Sequence, residues 1–115
     1  MIERIDTTER LSSTVKHNGV VYLSGQFAED DTQNFEHQTT SMFAKIDKLL
    51  NAAGSDRSHI LSAIIYLKTT ADYVEFNTIW NNWLPDGTAP TRTCVEAQMA
   101  RDNMLVEVSI IAAEK

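Results

Sequence analysis

The sequence predicts an α+β domain with the element order β-β-α-β-α-β-β, in which two helices lie side by side on one face of a mixed sheet. Three observations carry that expectation. Asn18-Gly19 separates two strand-like runs and is a strong signal for a two-residue hairpin turn. Residues 33–53 and 71–84 each repeat apolar side chains at helical spacing. Three further short stretches, 60–67, 91–97 and 105–112, read as strands.

The first strand is Leu11 to His17, which alternates loosely, and the second is Val20 to Ser24, a β-branched and aromatic run. In the first helix Phe35, Met42, Phe43, Ile46, Leu49, Leu50 and Ala53 fall on one stripe. Asp31 or Thr32 is expected to cap its start, and Gly54 stands where a helix exits through a left-handed residue. Ile60 to Leu67 (ILSAIIYL) is nearly continuous in apolar residues, as a buried strand is. The second helix puts Tyr73, Phe76, Trp80, Trp83 and Leu84 together. Pro85, Gly87 and Pro90 mark a loop. Thr91 to Ala97 and Leu105 to Ala112 are the final strands, connected by 98–104.

A chain of 115 residues suits one domain, and such a domain buries a usable core without disulfide or metal. Ten basic residues face 16 acidic ones, a formal net charge of −6, with no basic cluster to displace counterions from a phosphate backbone. Nucleic acid is therefore not an expected partner. Cys94 is the only cysteine, so no disulfide forms within the chain. Met1 to Arg10 is charged and polar, unlike a signal peptide. Every apolar run is far shorter than the ~20 residues that span a bilayer. A cytoplasmic location, away from membranes, is the default expectation.

Strand parity places candidate functional residues. Successive side chains of a strand point to opposite faces. Val106, Val108, Ile110 and Ala112 share one face and suit the helix-covered core, which leaves Leu105, Glu107, Ser109 and Ile111 on the other. In the preceding strand Thr93, Val95 and Ala97 alternate with Arg92, Cys94 and Glu96. The expected assignment puts Arg92, Cys94, Glu107 and Ser109 together on the face away from the helices. That face mixes apolar and charged groups, as a subunit interface enclosing a polar pocket does, and a closed cyclic oligomer would cover it. The plain alternative is a solvated sheet face on which Arg92 pairs with Glu96 or Glu107.

The same residues resemble the YjgF/RidA family, also called the L-PSP or imine deaminase family, over nearly the whole chain. The matching pieces are HNGVVYLSGQ at 17–26, LLNAAG at 49–54, Phe76-Asn77, P-T-R-T-C-V-E at 90–96 and Val106-Glu107-Val108. Trp80-Asn81-Asn82-Trp83 looks like the short YoaB-like branch. The resemblance implies a chorismate-mutase-like α+β fold and a homotrimer with clefts between subunits. It implies small imino acids of the 2-aminoacrylate/2-iminopropionate type as substrates, hydrolysed to 2-keto acids and ammonia. It implies neither metal nor organic cofactor. By residue, Arg92 resembles the arginine that holds the substrate carboxylate and Glu107 the glutamate that orients water. Cys94, Ser24 and Gly25 resemble parts of the cleft lining. Three departures stand out. The family's N-terminal Gly-Pro-Tyr segment is missing, Ser109 replaces a second glutamate found in many members, and a usual proline is replaced near Arg101.

The chemistry agrees with those residue types. A planar guanidinium grips a carboxylate with two parallel hydrogen bonds, which the point charge of a lysine does not reproduce. A carboxylate beside the imine carbon can hold water and move its proton. Cys94 has no neighbouring histidine in sequence and reads first as a small core residue. His17, His37 and His59 lack metal-ligand spacing. Trp80 and Trp83 read as core. Ser24 lacks the G-x-S-x-G context of a hydrolase elbow. Two other functions remain compatible with Arg92: a non-catalytic module that binds a small carboxylate or keto acid, and an endoribonuclease, which the acidic charge disfavours.

Overall fold

The computed structural model describes all 115 residues. Six strands form one sheet in the order β1-β2-β3-β6-β4-β5. They are β1 (Glu3–Thr7), β2 (Ser12–His17), β3 (Val20–Leu23), β4 (Ile60–Leu67), β5 (Thr91–Glu96) and β6 (Val106–Ala113). Only β4 and β5 are parallel; every other neighbouring pair is antiparallel. Two helices, α1 (Phe35–Ala52) and α2 (Tyr73–Trp83), cover one face. No helix is long and apolar enough to cross a membrane.

The expected elements all form, and β1 is an addition. Its residues ERIDT are mostly exposed, so no apolar alternation announces them; it is an edge strand held by backbone pairing with β2. The hairpin from β2 to β3 turns at Asn18 and Gly19, with φ of 51° and 78°. Positive φ at both central positions is the turn that matches strand twist.

The α1 helix begins later than expected. Asn34, not Asp31 or Thr32, is its cap, and its side chain accepts from the His37 N–H at 2.9 Å. Asp30 instead organises the preceding turn, accepting from the Thr32 side chain and from its backbone N–H at 3.1 Å. Those bonds, the side-chain one foremost, lower the Asp30 pKa from its ordinary value. At the other end Gly54 takes φ 82°. Ser55 N–H donates to the Leu50 carbonyl at 2.9 Å and Gly54 N–H to that of Asn51 at 3.2 Å, which satisfies the last carbonyls of the helix.

The core lies between the helices and the sheet. Met42, Ile46 and Leu50 from α1 meet Val21, Ile65, Val106 and Val108 from the strands, all fully buried. Each such side chain stabilises by about 1.5–3 kcal/mol. Phe76, Trp80 and Trp83 turn inward from α2, as their spacing predicts, and Phe43 stacks on Trp83 with ring centroids 4.2 Å apart. The outer seam is tied by Asp47, which accepts from Arg57 Nε at 3.0 Å and from Trp83 Nε1 at 3.2 Å. The opposite sheet face has no helix over it.

Candidate functional site

Register decides which face each candidate occupies. Parallel pairing sets Arg92 beside Ala63 and Cys94 beside Ile65. Ala63 and Ile65 are buried beneath the helices, and side chains paired across strands share a face. Arg92 and Cys94 therefore lie on the helix-covered side. Antiparallel pairing sets Glu107 beside Tyr66 and Ser109 beside Ile64, on the bare side. The expectation that these four residues share the face away from the helices is thus corrected: Glu107 and Ser109 occupy it, and Arg92 and Cys94 do not. An arginine in a strand suggests an outward face, but its long stem packs on apolar surface while the charged head stays reachable. Leu105 also departs from that expectation. It precedes β6, packs at the margin of the core, and donates its N–H to Gln38 Oε1 at 3.0 Å.

Arg92 is held firmly. Its Nη2 donates to Asn77 Oδ1 at 2.6 Å. Its Cζ lies 5.4 Å from the Trp80 ring centroid and 5.7 Å from those of Tyr73 and Phe76, within reach of cation–π attraction. All four partners belong to α2, so one helix supplies both the anchor and the aromatic bed. No carboxylate pairs with it: the ion pairs of the chain involve Lys16, Arg57, His59, Arg101 and Lys115. Glu96, the sequence's nearest candidate partner, accepts instead from the Thr70 N–H at 2.8 Å. Arg92 retains N–H donors and an uncancelled charge, the requirements for gripping a carboxylate.

Cys94 packs against the same core. Burial raises its thiol pKa, and the Arg92 charge only partly offsets that. A thiol held neutral is a poor nucleophile, in keeping with a lining role.

Glu107 is half-buried and rests on Gly25. A Cβ added at Gly25 would overlap Glu107 Oε2 and stand 3.1 Å from Cδ. Glycine is needed here for space: the SGQ segment leaves room for the carboxyl group. Glu107 and Ser109 also border a hollow of about 360 Å³, walled by Tyr66 and the segment from Ala97 to Ala100. Ser24 is turned elsewhere, its hydroxyl donating to the Ser12 carbonyl at 2.6 Å. Gly25 thus lies against Glu107, while the Ser24 hydroxyl is engaged by β2.

The bare face around Glu107 carries large apolar groups in water. Tyr22, Ile64, Val95 and Ile111 are 42%, 38%, 42% and 36% exposed. No group of three His, Cys, Asp or Glu side chains is placed to hold a metal ion. His17, His37 and His59 are all at least partly exposed. Asn77 is the partner of Arg92 that the sequence did not reveal. Its position one turn before Trp80 fits a helix but says nothing of a hydrogen bond to a strand.

The comparisons agree with this fold. The family model described as Endoribonuclease L-PSP matches residues 1–114. The chain is 41% identical over 113 residues to a RutC family protein of Haemophilus ducreyi, covering 98% of this chain and 97% of that one. It is 38% identical over 112 residues to the RutC family protein YoaB of Escherichia coli K12, covering 97% of each. A crystal structure of a YjgF family member from Neisseria meningitidis is 39% identical with a TM-score of 0.92, covering 100% of this chain and 96% of that one. With an α+β fold, two helices on one sheet face and this match over nearly its whole length, the chain belongs to the YjgF/RidA (L-PSP) family and is a relative of the YoaB proteins within it.

Proposed function

We propose that the protein is an enamine/imine deaminase whose sites lie between copies of the chain. Arg92 of one copy holds the carboxylate of a small 2-imino acid, and Glu107 of a neighbouring copy orients the attacking water. The observation that carries this reading is Arg92 itself, a guanidinium fixed by Asn77 and aromatic rings with no carboxylate of its own chain to neutralise it.

The division between copies follows from the sheet. Arg92 and Glu107 lie on opposite faces, so one chain cannot close both on a single small molecule. A neighbour's bare face brought against the α2–β5 side would. The apolar groups exposed on that face favour such cover, and a cyclic homotrimer repeats the contact without leaving a free end.

In the reaction, 2-aminoacrylate tautomerises to 2-iminopropionate and binds Arg92 through its carboxylate. Each charge-assisted bond contributes about 1.5–3 kcal/mol. Glu107 takes a proton from water as the oxygen bonds to the imine carbon and delivers it to the imine nitrogen, giving a carbinolamine. Transfer of the carbinolamine hydroxyl proton to nitrogen through the same carboxylate lets the C–N bond break, ammonia leave and the 2-keto acid remain. General acid–base help of this kind contributes about 10²–10⁴-fold.

The test generates 2-iminopropionate with an amino-acid oxidase and traps the surviving imine with semicarbazide. Wild-type protein is expected to hasten its loss, while Arg92→Ala and Glu107→Gln are each inactive. Unfolding these two variants together and refolding them should restore about a quarter of the activity, because a quarter of random interfaces pair two intact half-sites. No acceleration with any imino acid overturns the reading. Activity lost in both variants but not restored on mixing overturns the shared site. Keto-acid binding without turnover would identify a carboxylate-binding module, and RNA cleavage abolished by Arg92→Ala would identify the ribonuclease that the family description names.

A further inference from the structure

Apart from Arg92 and Glu107, the β1–β2 arm, the segment after β3 and one face of α1 enclose a hollow of about 490 Å³. Lys45 and Lys48 border it from the helix, with Leu49 and Ala52 on the same helical face as its apolar floor. Asp6 and Glu29 border it from the other sides. No ion pair joins either lysine to either acid within 4 Å, the chain's ion pairs being made elsewhere. Opposite charges thus surround a common space without closing on each other.

Two of these groups are fixed by the chain. Lys45 Nζ donates to the Phe27 carbonyl at 2.8 Å and stands 5.1 Å from the Phe27 ring centroid. That leaves it two N–H donors. Asp6 has φ 52° between the antiparallel pairs Ile5–Thr14 and Thr7–Ser12, so pairing on both sides holds its backbone in the left-handed region. Preorganised charges lose less freedom when a ligand arrives.

We propose that this hollow binds a free α-amino acid with a small apolar side chain, its carboxylate on Lys45 and Lys48, its ammonium group on Asp6 and Glu29, and its side chain on Leu49 and Ala52. A zwitterion satisfies both sets of charges at once, which neither a simple anion nor a simple cation does. The site is independent of the deaminase reading and of Arg92.

Titration calorimetry with valine, acetate and methylammonium on the intact protein tests it. Valine is expected to bind at least about 10-fold more tightly than either single-charge probe, a gap of ~1.4 kcal/mol. Asp6→Asn keeps a residue tolerant of the left-handed backbone, and Lys48→Ala leaves the fold's core untouched. Each should weaken valine binding about 10-fold, while Arg92→Ala leaves it unchanged. Valine binding no tighter than acetate or methylammonium overturns the proposal. So does binding that is indifferent to both substitutions, or that disappears with Arg92→Ala.

Discussion

The carboxyl group of Glu107 occupies the space that a side chain at residue 25 would need. Gly25 has an ordinary backbone, unlike Gly19, Gly54 and Gly87, which have positive φ. Its lack of a side chain serves the neighbouring strand. Gly25→Ala should therefore swing Glu107 aside without unfolding the protein. Imine hydrolysis is expected to fall by about 10²-fold, as for a lost general base, with stability reduced by about 1 kcal/mol or less. Thermal unfolding beside the semicarbazide assay separates the two effects.

Asn77 acts on Arg92 through a neutral acceptor, and its charge state matters. Asn77→Ala frees the guanidinium and should raise KM about 10-fold, the loss of one hydrogen bond to a charged group. Asn77→Asp retains an acceptor but cancels the Arg92 charge proposed to bind substrate, so its KM should rise further. Steady-state kinetics on both variants decide the matter. An aspartate variant that binds substrate better than the alanine variant would contradict this role.

Cys94 should alkylate slowly. Because burial raises its pKa, the thiolate fraction at pH 8 is lower than that of a free cysteine, whose pKa is about 8.5. Iodoacetamide labelling is expected to lag behind a model thiol at that pH and to accelerate only in more alkaline solution. Cys94→Ala should keep most of its deaminase activity.

Asp56 caps the short 3₁₀ turn before β4, accepting from the Ser58 hydroxyl at 2.6 Å and the Ser58 N–H at 3.0 Å, with His59 Nδ1 2.6 Å away. The Ser58 hydroxyl and then His59 depress its pKa strongly. A depressed carboxylate stabilises the fold above its unfolded pKa of about 3.9, and the stabilisation is lost as pH falls through the lower folded value. Asp56→Ala should cost about 0.5–2 kcal/mol at neutral pH. The gap from wild type should close as the solution is acidified below the ordinary aspartate range. Urea titrations at several pH values measure it.

The helices, the Asn18-Gly19 turn and the inward face of β6 were legible because each follows from a local rule: period, turn chemistry or alternation. Strand β1 was not, since Glu3 to Thr7 buries almost nothing and exists through backbone pairing with β2. The cap at Asn34 was missed because three polar residues before it offer the same acceptor chemistry. Arg92 was the costly case. Its residue type and the even spacing to Cys94 were read correctly, but which face they occupy depends on the β4–β5 register and on aromatic rings of α2. Neither is written in TRTCVE. The candidate residues could be named from the sequence; their division between two faces required the fold.

The central position of β6 has a kinetic consequence. It joins β3 on one side to β4 on the other, though more than 80 residues separate it from the first and about 40 from the second. The β1–β3 meander and the β4–β5 pair remain two unlinked halves until β6 inserts between them. Such long-range closure slows assembly, and nascent chains lacking β6 would expose two adhesive strand edges at once.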